Sequence, residues 1–161
     1  NAKKVVLSGN FNGWNENQLL MKKTSDGWEI EYALKPGNYE YKFIVDGNWV
    51  TDPANPQKIR NNRDSYNSIV SIKPNHTFRL NNYASAKQVS VSGDFNGWNP
   101  EGYVMYRDKD GWSLPVYLLP GKQRYKFIVD GKWILDPGNK LWENNEYGTG
   151  NSVIWIEKKY Q

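Results

Sequence analysis

Slid against itself by 84 positions, the 161-residue sequence matches without a gap, and 32 of the 77 residue pairs so formed are identical. A fixed internal offset marks one structural unit used more than once. Gly9-Asn10-Phe11-Asn12-Gly13-Trp14-Asn15 returns as Gly93-Asp94-Phe95-Asn96-Gly97-Trp98-Asn99, and Asp26-Gly27-Trp28 as Asp110-Gly111-Trp112. Tyr41 to Gly47, reading YKFIVDG, returns unchanged as Tyr125 to Gly131, and Trp49, Asp52 and Pro53 return as Trp133, Asp136 and Pro137. The length alone allows one larger domain or two small ones; the repeat decides for two. Residues 1–75 and 76–161 are the expected domains, joined near Lys73-Pro74-Asn75-His76.

Each unit reads as all-β. Residues 28–34 alternate apolar and polar side chains, the period of a half-buried strand. Tyr39 to Val45 alternates again, with Tyr39, Tyr41, Phe43 and Val45 on one side. Asp26-Gly27, Pro36-Gly37 and Asp46-Gly47 are turn-forming pairs. Short strands at this spacing predict small antiparallel β-sandwiches. Thr77-Phe78-Arg79-Leu80 reads as a leading strand of the second unit. Asn1 aligns with Ser85, so the first unit lacks that strand, and the chain is expected to be cut or trimmed from a longer protein.

The pair Asp46-Gly47 fixes a face. If it is a two-residue turn, Ile44 pairs with Trp49, and directly paired residues point the same way. Lys42 and Ile44 lie opposite Tyr41, Phe43 and Val45. Trp49 and Lys42 therefore share one side, and Trp133 and Lys126 repeat it. An indole beside a lysine on a wet sheet face points to a partner; the competing reading buries both indoles under a loop. Sugar rings suit such a surface, since their axial hydrogens lie on an indole while lysine and asparagine bond the hydroxyls. Two indoles at an angle follow a curved α-1,4-glucan. Phe11 and Phe95 read as core, whereas Trp14 and Trp98 read equally well as loop anchors or binding residues.

Composition narrows the class. The chain holds 8 Trp, 11 Tyr and 5 Phe, more than two small cores obviously need, in a sequence with mean hydropathy −0.83. No apolar run is long enough for a membrane-spanning helix, and residues 1–8 hold too short an apolar stretch for a signal peptide, which is expected to be removed or left out. The net charge of +4 is spread among acids rather than gathered into a basic patch. Without cysteines there is no disulfide framework, and the compartment stays open.

The run Gly-Asn/Asp-Phe-Asn-Gly-Trp, then Tyr-Lys-Phe-Ile-Val-Asp-Gly-x-Trp and Asp-Pro, resembles the glycogen-binding domain of the AMP-activated protein kinase β subunit and the wider family 48 carbohydrate-binding modules. The resemblance spans nearly the whole of both repeats. It implies immunoglobulin-like (E-set) β-sandwiches that bind α-1,4-glucans such as glycogen, starch or maltooligosaccharides. Carried over position by position, the family's stacking tryptophans fall on Trp14 and Trp98 and on Trp49 and Trp133, and its lysine on Lys42 and Lys126. The family's closing loop carries a leucine, a threonine and an asparagine. Tyr147, Thr149 and Asn151 stand there in the second unit. In the first, only Asn67 keeps its identity, Ser65 substitutes for threonine and Arg63 replaces the apolar residue, so the second unit is expected to bind more tightly.

Nothing catalytic is expected. His76 is the sole histidine and is assigned to the linker, which leaves no triad or zinc cluster. Asp52-Pro53 and Asp136-Pro137 read as turns, and Asp108-Lys109-Asp110-Gly111 fails as a calcium loop because Trp112 falls where a ligand is needed. Asn75-His76-Thr77 fits the glycosylation pattern without further support. The expected partner is an α-glucan polysaccharide or maltooligosaccharide, alongside flanking domains of a longer chain. No metal, cofactor, nucleic acid or membrane is expected. A protein-docking pair is the main alternative, and single-strand nucleic-acid binding a weaker one.

Overall fold

The computed structural model describes residues 1–158. In the first repeat the strands are β1 (Val5–Gly9), β2 (Leu19–Leu20), β3 (Lys22–Thr24), β4 (Gly27–Glu29), β5 (Gly37–Val45), β6 (Asn48–Val50), β7 (Lys58–Arg60) and β8 (Tyr66–Ile72). The second holds β9 (His76–Asn81), β10 (Val89–Gly93), β11 (Tyr103–Val104), β12 (Tyr106–Arg107), β13 (Gly111–Val116), β14 (Gly121–Val129), β15 (Lys132–Ile134), β16 (Trp142–Asn144) and β17 (Gly150–Ile156). Single 3-10 turns at Asn10–Asn12 and Asp94–Asn96 follow β1 and β10. The described chain is thus an all-β, antiparallel sandwich protein. β5 and β14, nine residues each, are the central strands, as the alternation from Tyr39 to Val45 predicts.

One twelve-stranded sheet runs through both repeats in the order β16-β17-β14-β10-β11-β7-β8-β5-β1-β2, with β6 beside β5 and β15 beside β14. The repeats meet where Tyr103 of β11 pairs with Ile59 of β7. Ile59 also pairs with Asn67, one step beyond the Tyr41–Ser68 row, so it lies on the side of Lys42. On the other flank, Tyr103 pairs with Val91 and Val91 with Phe127, an inward-facing core residue. The side of the sheet that faces outward in the first repeat therefore becomes the core side of the second. Ile59 and Ile69 of the first repeat are buried within the cluster that contains Phe78, Leu80, Leu114 and Phe127.

Hydrogen bonds fasten the same junction. Asn38 donates to the Tyr117 carbonyl (2.7 Å) and accepts from its N–H (2.9 Å). Asn75 does the same with Leu118, at 2.8 Å each way. The Tyr106 hydroxyl lies 3.2 Å from Asn55 Oδ1 and 3.0 Å from Gln57 Oε1. The Asn75 amide is thus a structural clamp, engaged at both its nitrogen and its oxygen.

Two expectations need correction. His76 is not a linker residue: it opens β9, pairs with Val116, and sets its ring 4.7 Å from that of Phe78. Burial holds its imidazole below the ordinary pKa. The strand expected over 28–34 stops at Glu29, whereas its counterpart β13 runs to Val116. The reason is pairing. β13 lies between β12 and β9, and β9 inserts the buried Phe78 and Leu80 beneath it. The first repeat has only the β3–β4 hairpin there. Tyr32 stands 42% exposed where its counterpart Val116 is fully buried.

Two outcomes are expected. Ile59→Ala, a change in the first repeat, lowers the unfolding free energy of the second by about 2–4 kcal/mol in a denaturant titration followed by second-repeat probes. Amides of residues 30–34 exchange with deuterium faster than those of Leu114 and 116–118, since the latter lie on the β9 ladder or donate to the Asn38 and Asn75 side chains.

Candidate functional site

Asp46 and Gly47 both take positive φ (48° and 86°), as do Asp130 and Gly131 (47° and 84°). This is the turn geometry whose twist matches the flanking strands. The register that follows pairs Ile44 with Trp49 and Ile128 with Trp133. Trp49 and Trp133 stay 40% and 37% exposed, so neither is buried under a loop. The carboxylates of the turns clamp the chain's approach to β1 and β10: Asp46 accepts from Lys3 and Lys4 N–H, Asp130 from Lys87 and Gln88 N–H.

Trp14 and Trp98 are delivered by the 3-10 turns. After each comes a left-handed glycine, then the tryptophan itself at φ 58° or 53°. A bulky residue held there stores of order 1–3 kcal/mol, and both copies carry it. Its N–H donates back to the carbonyl of Gly9 or Gly93, at 2.9 and 3.0 Å. Those glycines are required, because a Cβ would strike the carbonyl of Glu40 or Arg124. The result is a pair of indoles in each repeat. Trp14 and Trp49 lie 6.3 Å apart at 51°, Trp98 and Trp133 6.4 Å apart at 28°. In the second pair Asp94 accepts from Trp98 Nε1 (3.0 Å) and from the Arg124 N–H (2.9 Å), fixing the indole to the sheet.

Behind each platform a tyrosine anchors the chain that leaves β6 or β15. The Tyr41 hydroxyl donates to Asp52 (2.6 Å) and accepts from Asn55 (3.0 Å); Tyr125, Asp136 and Asn139 repeat this at 2.6 and 3.1 Å. Burial, then the neighbouring carboxylate, pushes both phenols well above their usual pKa. Asp52 and Asp136 are thus structural acceptors at the turns the sequence predicts.

Two clefts result. The one in the first repeat has a volume of about 870 Å³ and brings together Trp14, Lys42, Trp49, Arg63, Ser65 and Asn67. Lys42 donates to Ser65 Oγ (3.1 Å) and Asn67 to Glu40 (3.0 Å). The second, about 760 Å³, brings together Trp98, Lys126, Trp133, Tyr147, Thr149 and Asn151. Lys126 is almost wholly buried, and that burial pushes its pKa below the ordinary value. Tyr147 is 80% exposed at the rim. Every residue expected from the sequence to contact a sugar lies in the cleft of its own repeat.

Sequence reasoning missed several residues. Asn61 and Asn145 organise the loops: Asn145 Oδ1 accepts from the Tyr147 and Thr149 N–H groups, and its amide donates to Thr149 Oγ1 and Asn151 Oδ1. Identity between the repeats was the available signal. Asn96 and Asn99 of the second repeat also line the first repeat's cleft, with Asn99 donating to the Arg60 carbonyl (3.4 Å). Only the β7–β11 junction brings them there, and no local pattern announces it. Among the described residues no group of three or more His, Cys, Asp or Glu is placed to hold a metal, and no helix is long and apolar enough to cross a membrane.

The profile of the family described as "Glycogen recognition site of AMP-activated protein kinase" matches residues 1–79 and again 76–161. The chain belongs to this family. Human 5'-AMP-activated protein kinase subunit beta-2 is 29% identical over 126 residues, covering 74% of this chain and 46% of that protein. Protein PTST homolog 2, chloroplastic, of Arabidopsis thaliana is 48% identical over 56 residues (34% of this chain, 10% of that one). Rice Protein FLOURY ENDOSPERM 6, chloroplastic, is 36% identical over 71 residues (44% and 13%). The chain thus spans from a tenth to about half the length of these relatives. A maltogenic amylase structure from S. marinus aligns over 98% of this chain and 28% of its own, at 17% identity and a TM-score of 0.38.

Asn145→Ala is expected to release the 146–150 loop, raising its amide exchange at least tenfold, while global stability falls by only about 1–2 kcal/mol. Hydrogen exchange read by mass spectrometry checks both.

Proposed function

We propose that this chain binds α-1,4-glucans without chemical turnover, each repeat acting as one module (residues 1–75 and 76–161) of immunoglobulin-like type. The observation that carries the reading is the pair of indoles in each repeat, tilted to one another and flanked by a lysine and an asparagine. An indole offers broad apolar area with little side-chain entropy to lose, and it matches the axial C–H face of glucose. A tilt between neighbouring indoles suits the curvature of an α-linked chain. Lys42, Asn67, Lys126, Thr149 and Asn151 supply hydrogen bonds to ring hydroxyls, and Tyr147 closes over the sugar from the rim. Family membership supports the same ligand class.

The second module is the tighter. Tyr147 offers an exposed aromatic ring where the first has Arg63, a charged and strongly hydrated side chain without an apolar ring to lay on a sugar. The first module's cleft is instead extended by Asn96 and Asn99 across the junction. Glycogen, starch and maltooligosaccharides all present the required surface.

The test is retention on glycogen. A Trp49→Ala/Trp133→Ala chain sediments free of glycogen while its circular dichroism and melting temperature match the parent; retention equal to the parent's contradicts the platform assignment. A further expectation separates binding from stability. Lys126→Met removes a desolvated charge, so the melting temperature holds or rises. Affinity for maltoheptaose nevertheless falls about tenfold, as expected for a lost charged hydrogen bond.

A further inference from the structure

The junction between the repeats covers part of the first repeat's outward sheet face. Asn38 and Ser71, at the far end of β5 and β8, are engaged there: Ser71 donates to Asn38, and Asn38 clamps Tyr117. Their counterparts in the second repeat are Lys122 and Trp155, which pair with each other on the outward side of β14 and β17. Lys122 is half-buried against Glu143, and Trp155 is 65% exposed. The apolar Ile59 that makes the junction is replaced by Glu143, held by Lys122 and by Arg124 (2.6 Å). A charged edge of this kind resists addition of another strand. The face is therefore not prepared to receive a further copy of the unit as β7 receives β11.

What it carries instead is a track continuous with the cleft. Arg124 and Glu143 line the Trp98–Trp133 cleft, Lys122 joins Glu143, and Trp155 stands beyond. All lie on one side of the sheet, because Lys122, Arg124 and Lys126 alternate outward along β14. Ile128, the partner of Trp133, lies six residue steps along β14 from Lys122, the partner of Trp155, a span of about 20 Å at about 3.3 Å per step. An indole at the end of a row of hydrogen-bonding groups repeats the chemistry of the cleft itself.

We propose that Trp155 is an additional α-glucan subsite of the second repeat, reached only by chains long enough to run from Trp133 past Arg124 and Lys122. This rests on the reading of the Trp98–Trp133 cleft as a glucan site. The first repeat has no equivalent, since Ser71 stands there and the second repeat covers it.

The experiment is calorimetric titration of the Trp49→Ala chain, in which the first cleft is silenced, with maltotetraose and with maltodecaose. Trp155→Ala on that background leaves maltotetraose affinity unchanged and lowers maltodecaose affinity about three- to tenfold, with Trp155→Phe in between. Equal affinity of parent and Trp155→Ala for maltodecaose overturns the subsite while leaving the cleft intact. An equal loss for both sugars also overturns it, assigning Trp155 a structural role. If the background chain binds neither sugar, the cleft reading fails and the subsite with it.

Discussion

The register of two hairpins governs everything this chain presents to its surroundings. Asp46-Gly47 and Asp130-Gly131 adopt left-handed backbone at both central positions, which sets Trp49 opposite Ile44 and Trp133 opposite Ile128. Because side chains alternate with a period of two, a slip by one residue would send both indoles into the core and a core aromatic to solvent. Other devices reinforce that register. The turn carboxylates grip the chain entering β1 and β10, and the buried tyrosines hold the chain leaving the hairpin. The first indole of each platform thus stands on a strand, β6 or β15, paired to the central β5 or β14, and the second is brought over it by a strained turn.

The junction is the second organising constraint, and it makes the two repeats unequal. A continuous antiparallel sheet joins them, yet its core side in one is its outer side in the other. The second repeat consequently covers part of the first repeat's outward face, takes Ile59 and Ile69 into its own core, and lends Asn96 and Asn99 to the first cleft. Its own outward face carries Arg124 and Lys122 and ends on the exposed Trp155. Two units from one ancestral pattern thereby acquire different environments for aligned residues. Lys42 hydrogen-bonds to Ser65 beside a shared wall, while Lys126 lies buried within a single repeat.

Much of this was legible in the sequence. The offset of 84 residues marks the duplication, alternation marks the central strands, and one Asp-Gly pair places tryptophan and lysine on the same side. Those features are local, and local rules govern them. The shortened β4 and the strand position of His76 were not legible, because both depend on whether a neighbouring strand is present to complete a ladder. The role of Asn145 shows in the sequence only as its identity with Asn61, because a side chain that satisfies backbone N–H groups of its own loop gives no hydrophobic alternation. Asn96 and Asn99 were read only as part of a repeated turn. Their presence in the other repeat's cleft follows from a strand pairing of a single residue pair, Ile59 with Tyr103, that no pattern in either segment encodes.

The central claim is that each repeat holds a working glucan platform built on its own indole pair. Calorimetric titration of the intact chain with maltoheptaose tests this most directly, since it reads affinity and stoichiometry together. The account predicts close to two sugars per chain, in two classes, with the tighter class lost in Trp133→Ala and the weaker in Trp49→Ala. A silent titration, or one whose stoichiometry is untouched by either substitution, would contradict it.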